Sequence, residues 1–270
     1  SYKRYVNIFK RKDGKSFDMP ISVVSDLDER ALEYYDDNCK DRKTPEYWLK
    51  DSVLHDLKAI TEEVDYDSIA STFSSLTAFE NDIRAHKTAN FAPVGETINR
   101  LKAVLTEEKK TKLNEAVLSI IREEKSKRLK KEINIGKTEI YLPKDWTLEY
   151  EIAGSGLYRL LDMAIKLAQI EKKFPDYELT DERLLELWGK VKEEYPDDHL
   201  PSREESYKIF APLNDGIVSK AITAQYMAGM IAGELPPVKG NDELKEKVKG
   251  IIENDERLNY IKKAIEHVTA

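Results

Sequence analysis

Apolar positions along most of this chain recur at helical spacing, and two short stretches break that rhythm. In "MPISVVSD" the β-branched Ile21, Val23 and Val24 follow Pro20 and predict a buried strand. "TEIYLP", residues 138–143, predicts a second. Between 106 and 132, Leu113, Ala116, Val117, Ile120 and Ile121 follow the i, i+3, i+4, i+7, i+8 rule, with Thr106 as the expected N-cap. Residues 148–172 predict one broadly apolar helix, with Leu157, Leu160, Leu161, Ile165 and Ala168 facing inward. Thr180, Asp181 and Glu182 open another helix, and "LPPVKGND" separates a short C-terminal helical pair from what precedes it.

The expected class is therefore α/β, predominantly helical by residue count. Two strands alone do not make a stable sheet in a chain of 270 residues, so other strands, or residues outside this chain, should complete it. The stretch between the strands predicts a helical insertion over 40–132, and 236–270 the C-terminal pair. No internal repeat is visible.

Composition narrows the setting. With 40% hydrophobic and 35% charged residues the chain can bury a real core as one large or two smaller domains. Its single cysteine, Cys39, excludes an internal disulfide framework and a four-cysteine zinc site. No apolar run reaches the length of a membrane span, and "SYKRYVNIFKRKDGK" lacks the apolar core of a signal peptide. A cytoplasmic setting is expected. The net charge of −7 argues against a protein that simply coats nucleic acid, but not against an enzyme that meets it through a local basic surface and metal ions.

Three segments carry candidate chemistry. Asp26 and Asp28 lie two apart where the first strand ends, so both carboxylates can converge at its carboxyl end, where open α/β sheets bind ligands. Paired hard oxygens suit Mg²⁺ or Mn²⁺. The plainer reading makes Asp28 a helix N-cap before "ERALEYY". After the second strand, Thr147 and Glu149 repeat the device in "YLPKDWTLEYEIAG", although a capping threonine and a dipole-favouring glutamate would look the same. Adjacent parallel strands would bring the two pairs into one acidic cluster. Third, Ser219 and Lys220 open a helix in "NDGIVSKAITAQYMAGMIAGE" whose other face is small and apolar, at Ala221, Ala224 and Ala228. A lysine there is either solvated or placed to contact a phosphate.

In this order, strand–"DLD", strand–"WTLEYEIA" and "SKAITAQYMA" resemble the Toprim domain of OLD-family (overcoming lysogenisation defect) nucleases, the group that includes the nuclease of the Gabija phage-defence system. "KRYVNIFKR" resembles the helix that precedes the DxD strand there. The resemblance runs from about residue 2 to 233, and 40–130 adds nothing to it. It implies a partial Toprim core, a Rossmann-like parallel sheet formed by 1–39 and 133–235, and a Mg²⁺- or Mn²⁺-dependent DNA nuclease with two metals. Asp26 and Asp28 would be metal ligands, Thr147 and Glu149 would hold the second metal, Lys220 would be the catalytic lysine, and Glu149 would be catalytic as well. Family members join this domain to an upstream ABC-type ATPase that dimerises, so ATP, a homo-oligomer and a helicase partner would enter through that assembly. The family's glutamate motif belongs upstream of the DxD strand, and neither it nor a Walker A motif occurs here. The chain is expected to be the C-terminal part of a larger protein, weak or inactive as a nuclease by itself.

Other readings stay open. One is a primase- or topoisomerase-like Toprim domain. Another is a helical interaction or regulatory module in which DLD is a cap or a receiver-like phosphoacceptor. His55, His86, His199 and His267 show no metal-ligand spacing. Residues 109–131 carry nine Lys/Arg against three Glu, which suits a solvated helix face better than a DNA track. Tyr34 and Tyr35 read as packing residues, and Cys39 lacks a basic partner.

Overall fold

A computed structural model describes residues 19–28, 107–133, 135, 137–176, 178–195 and 199–269. They fall in two compact units, one within Ser1–Thr147 and one spanning Leu148–Ala270. Mostly helical, they include no helix long and apolar enough to cross a membrane.

In the first unit, strand β1 (Pro20–Val24) pairs in parallel with β2 (Lys137–Tyr141), with Ile21 opposite Thr138 and Val23 opposite Ile140. Both predicted strands are therefore present, and they are neighbours. Alternation puts Ile21 and Val23 on one face, where they are buried with Ile133 and Ile135 and packed by Ile140. A parallel pair needs a long crossover, and its last element here is helix α1 (Glu107–Ile133), which runs directly into β2. Among the described side chains of α1, Asn114, Leu118, Ile121, Lys125, Leu129 and Ile133 are buried, a stripe of spacings three and four. Full burial of each aliphatic member contributes on the order of 1.5–3 kcal/mol. The expected Thr106 cap, the 40–106 part of the insertion and the "KRYVNIFKR" helix lie outside the described residues.

The second unit is helical throughout its described residues. Ten of the sixteen residues of α3 (Tyr158–Lys173) are buried. Around it pack α2 (Leu148–Gly154), α4 (Asp181–Glu194), α5 (Arg203–Asn214) and α6 (Lys220–Ala232). Helices α7 (Asp242–Asn254) and α8 (Asn259–Thr269) form the C-terminal pair. Thr180, Ser202, Ser219 and Asn241 cap α4, α5, α6 and α7, each accepting a backbone N–H of the first turn.

One helical expectation needs correction. The single helix expected over 148–172 is broken at Ser155–Leu157, so Leu157 precedes α3 rather than lying within a continuous helix, though all five residues expected to face inward are buried. The Ser155 hydroxyl donates to Ile152 O at 2.8 Å and accepts Leu157 N–H at 3.1 Å, which replaces helical bonding. Asp255 Oδ2 accepts the freed Gly156 N–H at 3.0 Å. On α6, Ala221, Ala224 and Ala228 are exposed, whereas Thr223, Met227 and Met230 are buried. Methionine removes far more apolar surface from water than alanine, so the larger side chains set the inward face.

Candidate active site

Parallel pairing sends the chain out of β1 and β2 at the same edge of the sheet. Beyond β1, Ser25 N–H donates to Tyr141 O at 3.2 Å. Leu27 and Asp28 N–H both donate to Trp146 O, at 3.0 and 3.1 Å. The D-x-D segment and the segment leading to Thr147 are thus tied backbone to backbone. Leu27 and Trp146 are buried and anchor the pair. Asp26 is partly buried, Thr147 is buried, and Asp28 keeps 65% of its side chain exposed. Asp28 also adopts a left-handed backbone, φ 59°. Non-glycine residues rarely do so, although aspartate tolerates it better than most.

Helix α1 holds both segments. Arg122 Nε donates to Pro143 O at 3.1 Å, and a second guanidinium nitrogen donates to Lys144 O. One turn on, Lys125 Nζ reaches Asp26 O (2.6 Å), Leu27 O (3.2 Å) and Asp28 Oδ2 (2.7 Å). Neither contact is apparent from composition, because both residues sit in a basic run that reads as a solvated face. A signal was present for Lys125, which falls in step with Ile121 and Leu129 on the buried stripe. Arg122 gave none.

In the second unit, Glu149 occupies the first turn of α2 and Lys220 is the first residue of α6. Lys220 Nζ lies 3.1 Å from Glu149 Oε1, the lysine half exposed and the glutamate one quarter exposed. Glu149 Oε2 is buried and has no hydrogen-bond partner among the described residues. A buried carboxylate oxygen normally has one. Tyr226 holds α6 on α3, its hydroxyl donating to Glu171 Oε2 at 2.6 Å; burial and then this acidic partner push the phenol's pKa up.

Behind Glu149, Glu151 is fully buried and accepts from Arg257 at 3.0 Å. The guanidinium lies where Gly154 has no side chain, since a Cβ there would come within 2.7 Å of Arg257 Cζ. Only glycine leaves that space. No sequence signal separated Glu151 from its neighbours, because its partner lies 106 residues away.

The structure thus places Asp26, Asp28 and Thr147 at one sheet edge of the first unit, and Glu149 with Lys220 in the second. Among the described residues no three His, Cys, Asp or Glu side chains form a group that could hold a metal ion. In kind, the donors fit a hard divalent cation: carboxylates, a threonine hydroxyl and the unpartnered Glu149 Oε2. His199 is exposed and pairs with Glu205 at 2.9 Å; His55, His86, Tyr34, Tyr35 and Cys39 lie outside the described residues. Compared with protein-family models, curated proteins and solved structures, the chain matches none of them significantly.

Proposed function

We propose that this chain is the catalytic region of a divalent-metal-dependent DNA nuclease of the OLD-family Toprim kind. The observation that carries the reading is the parallel pairing of β1 with β2, which delivers Asp26–Leu27–Asp28 and Trp146–Thr147 to one sheet edge. That is where ligands bind in open α/β sheets. Asp26 and Asp28 would hold one Mg²⁺ or Mn²⁺, and Thr147 with Glu149 a second. Bound there, the cations would supply an activated water and a clamp on the phosphate oxygens. Asp28 supports such a role with a carboxylate that is fixed on one oxygen yet open to water. Glu149 supports it with a buried oxygen that no described residue satisfies. Lys220 stands at the positive end of α6 with its ammonium half exposed, so it can turn to a phosphate and stabilise the charge that develops in cleavage.

The larger assembly belongs to the same proposal: an ATPase domain of the same protein or of a second copy, a homo-oligomer, a helicase partner and action on DNA in the cytoplasm. The test is Mn²⁺-dependent cleavage of plasmid DNA by wild type, Asp28→Ala and Glu149→Ala. Wild-type cleavage lost in both variants is the expected result, and equal cleavage by all three would overturn the assignment.

A second reading, a receiver-like phosphoacceptor in a regulatory module, is favoured by the Lys125–Asp28 ion pair at a strand end. It needs neither Glu149 nor Lys220. Uptake of phosphate from acetyl phosphate that survives Lys220→Ala and disappears in Asp28→Asn would select it.

A further inference from the structure

The geometry points to Lys125 as the positioning residue of the Asp28 carboxylate, an internal cation around which the D-x-D turn is built; we infer this in deepening, and resting on, the nuclease reading. Lys125 belongs to the apolar stripe of α1, one turn after Ile121 and one before Leu129, and only 4% of its side chain is exposed. Lysine is almost never buried so completely unless its charge is matched. Here the ammonium's three donors have three acceptors from three consecutive residues: Asp26 O, Leu27 O and Asp28 Oδ2, between 2.6 and 3.2 Å away.

The turn needs such a partner. Two carbonyl oxygens and a carboxylate oxygen converge on one point, and without a cation between them they would repel. Asp28 also holds φ at 59°, a conformation that its N–H bond to Trp146 O and the Lys125 contact keep in place. Lys125 grips one carboxylate oxygen from the protein side while the carboxylate stays largely open to water. It orients the group without closing it. Arginine would not serve, since a planar fork replaces a compact point charge in a buried site.

The experiment compares full-length wild type with Lys125→Met, with Lys125→Ala and with a control, Lys127→Met. Lys127 is exposed on the same helix and, among the described residues, pairs with neighbouring Glu123. Two quantities are read: hydrogen exchange at the Leu27 and Asp28 amides, and Mn²⁺ affinity by calorimetry. In Lys125→Met both amides should lose protection while the β1–β2 ladder keeps its own. Mn²⁺ affinity should fall roughly 10–100-fold, the usual cost of losing a group that orients a metal-binding carboxylate. Lys127→Met should change neither. In Lys125→Ala, methylammonium should restore both, and tetramethylammonium, which carries the charge but no N–H donor, should not. If Lys125→Ala unfolds, recovery of its far-UV spectrum with methylammonium alone supports the assignment, and failure to recover counts against it. Unchanged exchange in Lys125→Met, or equal rescue by the two amines, would overturn it. A wild type that binds no Mn²⁺ would instead defeat the nuclease reading, and the exchange and rescue arms would still decide whether Lys125 holds the turn.

Discussion

Lys220 Nζ lies 3.1 Å from Glu149 Oε1, joining the first residue of α6 to the first turn of α2. With both side chains partly in water, the pair contributes little to stability, at most about 1 kcal/mol. Its significance under the nuclease reading is chemical. Lys220→Ala should slow plasmid cleavage by roughly 10²–10³, the usual consequence of removing one preorganised charge-stabilising donor. Lys220→Arg should not restore the rate in full. The check is single-turnover cleavage with Mn²⁺ beside a melting curve for each variant, and a wild-type rate in Lys220→Ala would end the catalytic assignment.

How far the sequence carried this picture depends on how local the determinants are. β1 and β2 were legible because β-branched residues and a bounding proline act within a few positions, and the start of α6 because Ser219 caps its own first turn. The break at Ser155–Leu157 was not, since part of what stabilises it is a carboxylate 99 residues away, Asp255. On α6, Met227 and Met230 claim the interior by area, and the small-residue face lies outward. Asp26, Asp28, Thr147 and Glu149 were singled out by their spacing after strand ends, and Lys220 by its place at the start of a helix. The cation beneath Asp28 was harder to see, because within a basic run only its step with Ile121 and Leu129 sets Lys125 apart.

Metal uptake offers a second check. Asp26 and Asp28 sit two residues apart beyond β1, and their repulsion is relieved by a cation. Calorimetric titration of Mn²⁺ into the full-length protein should show binding that weakens at least tenfold in Asp28→Ala, as a directly coordinating carboxylate should cost no less than an outer-shell partner. Equal affinity in wild type and variant would remove Asp28 from the ligand set.

Acid should expose the role of Glu205. The Ser202 backbone N–H, then the His199 ring and the Ser202 hydroxyl, hold its carboxyl down at about 2. A depressed carboxylate pKa gives stability that is fully present above the unfolded value near 4.3 and is lost as pH falls through the folded value. The melting-temperature gap between wild type and Glu205→Gln should therefore narrow as pH falls from roughly 4 to 2. A gap that does not change over that acid range would mean that the reciprocal capping of α5 by Ser202 and Glu205 works through shape alone.

The buried ion pair of Glu151 and Arg257 makes the sharpest stability prediction. Glu151 is wholly removed from water, and Arg257 reaches it at 3.0 Å. Breaking such a pair from one side strands a buried charge, which typically costs 3–5 kcal/mol. Because the guanidinium keeps some contact with water, Arg257→Ala should cost about 3 kcal/mol, the lower end of that range. Glu151→Gln, which removes the charge along with its need for a partner, should cost less. Gly154 supplies an internal control. In wild type, Gly154→Ala places a methyl 2.7 Å from Arg257 Cζ and should destabilise by pushing the guanidinium off Glu151. With Arg257 already changed to alanine that obstacle is gone, and the better helix former should be neutral or stabilising. Chemical denaturation of the four proteins of this cycle checks the reversal of sign. If Gly154→Ala has the same effect in both backgrounds, the close approach of Arg257 is not what requires glycine at this position.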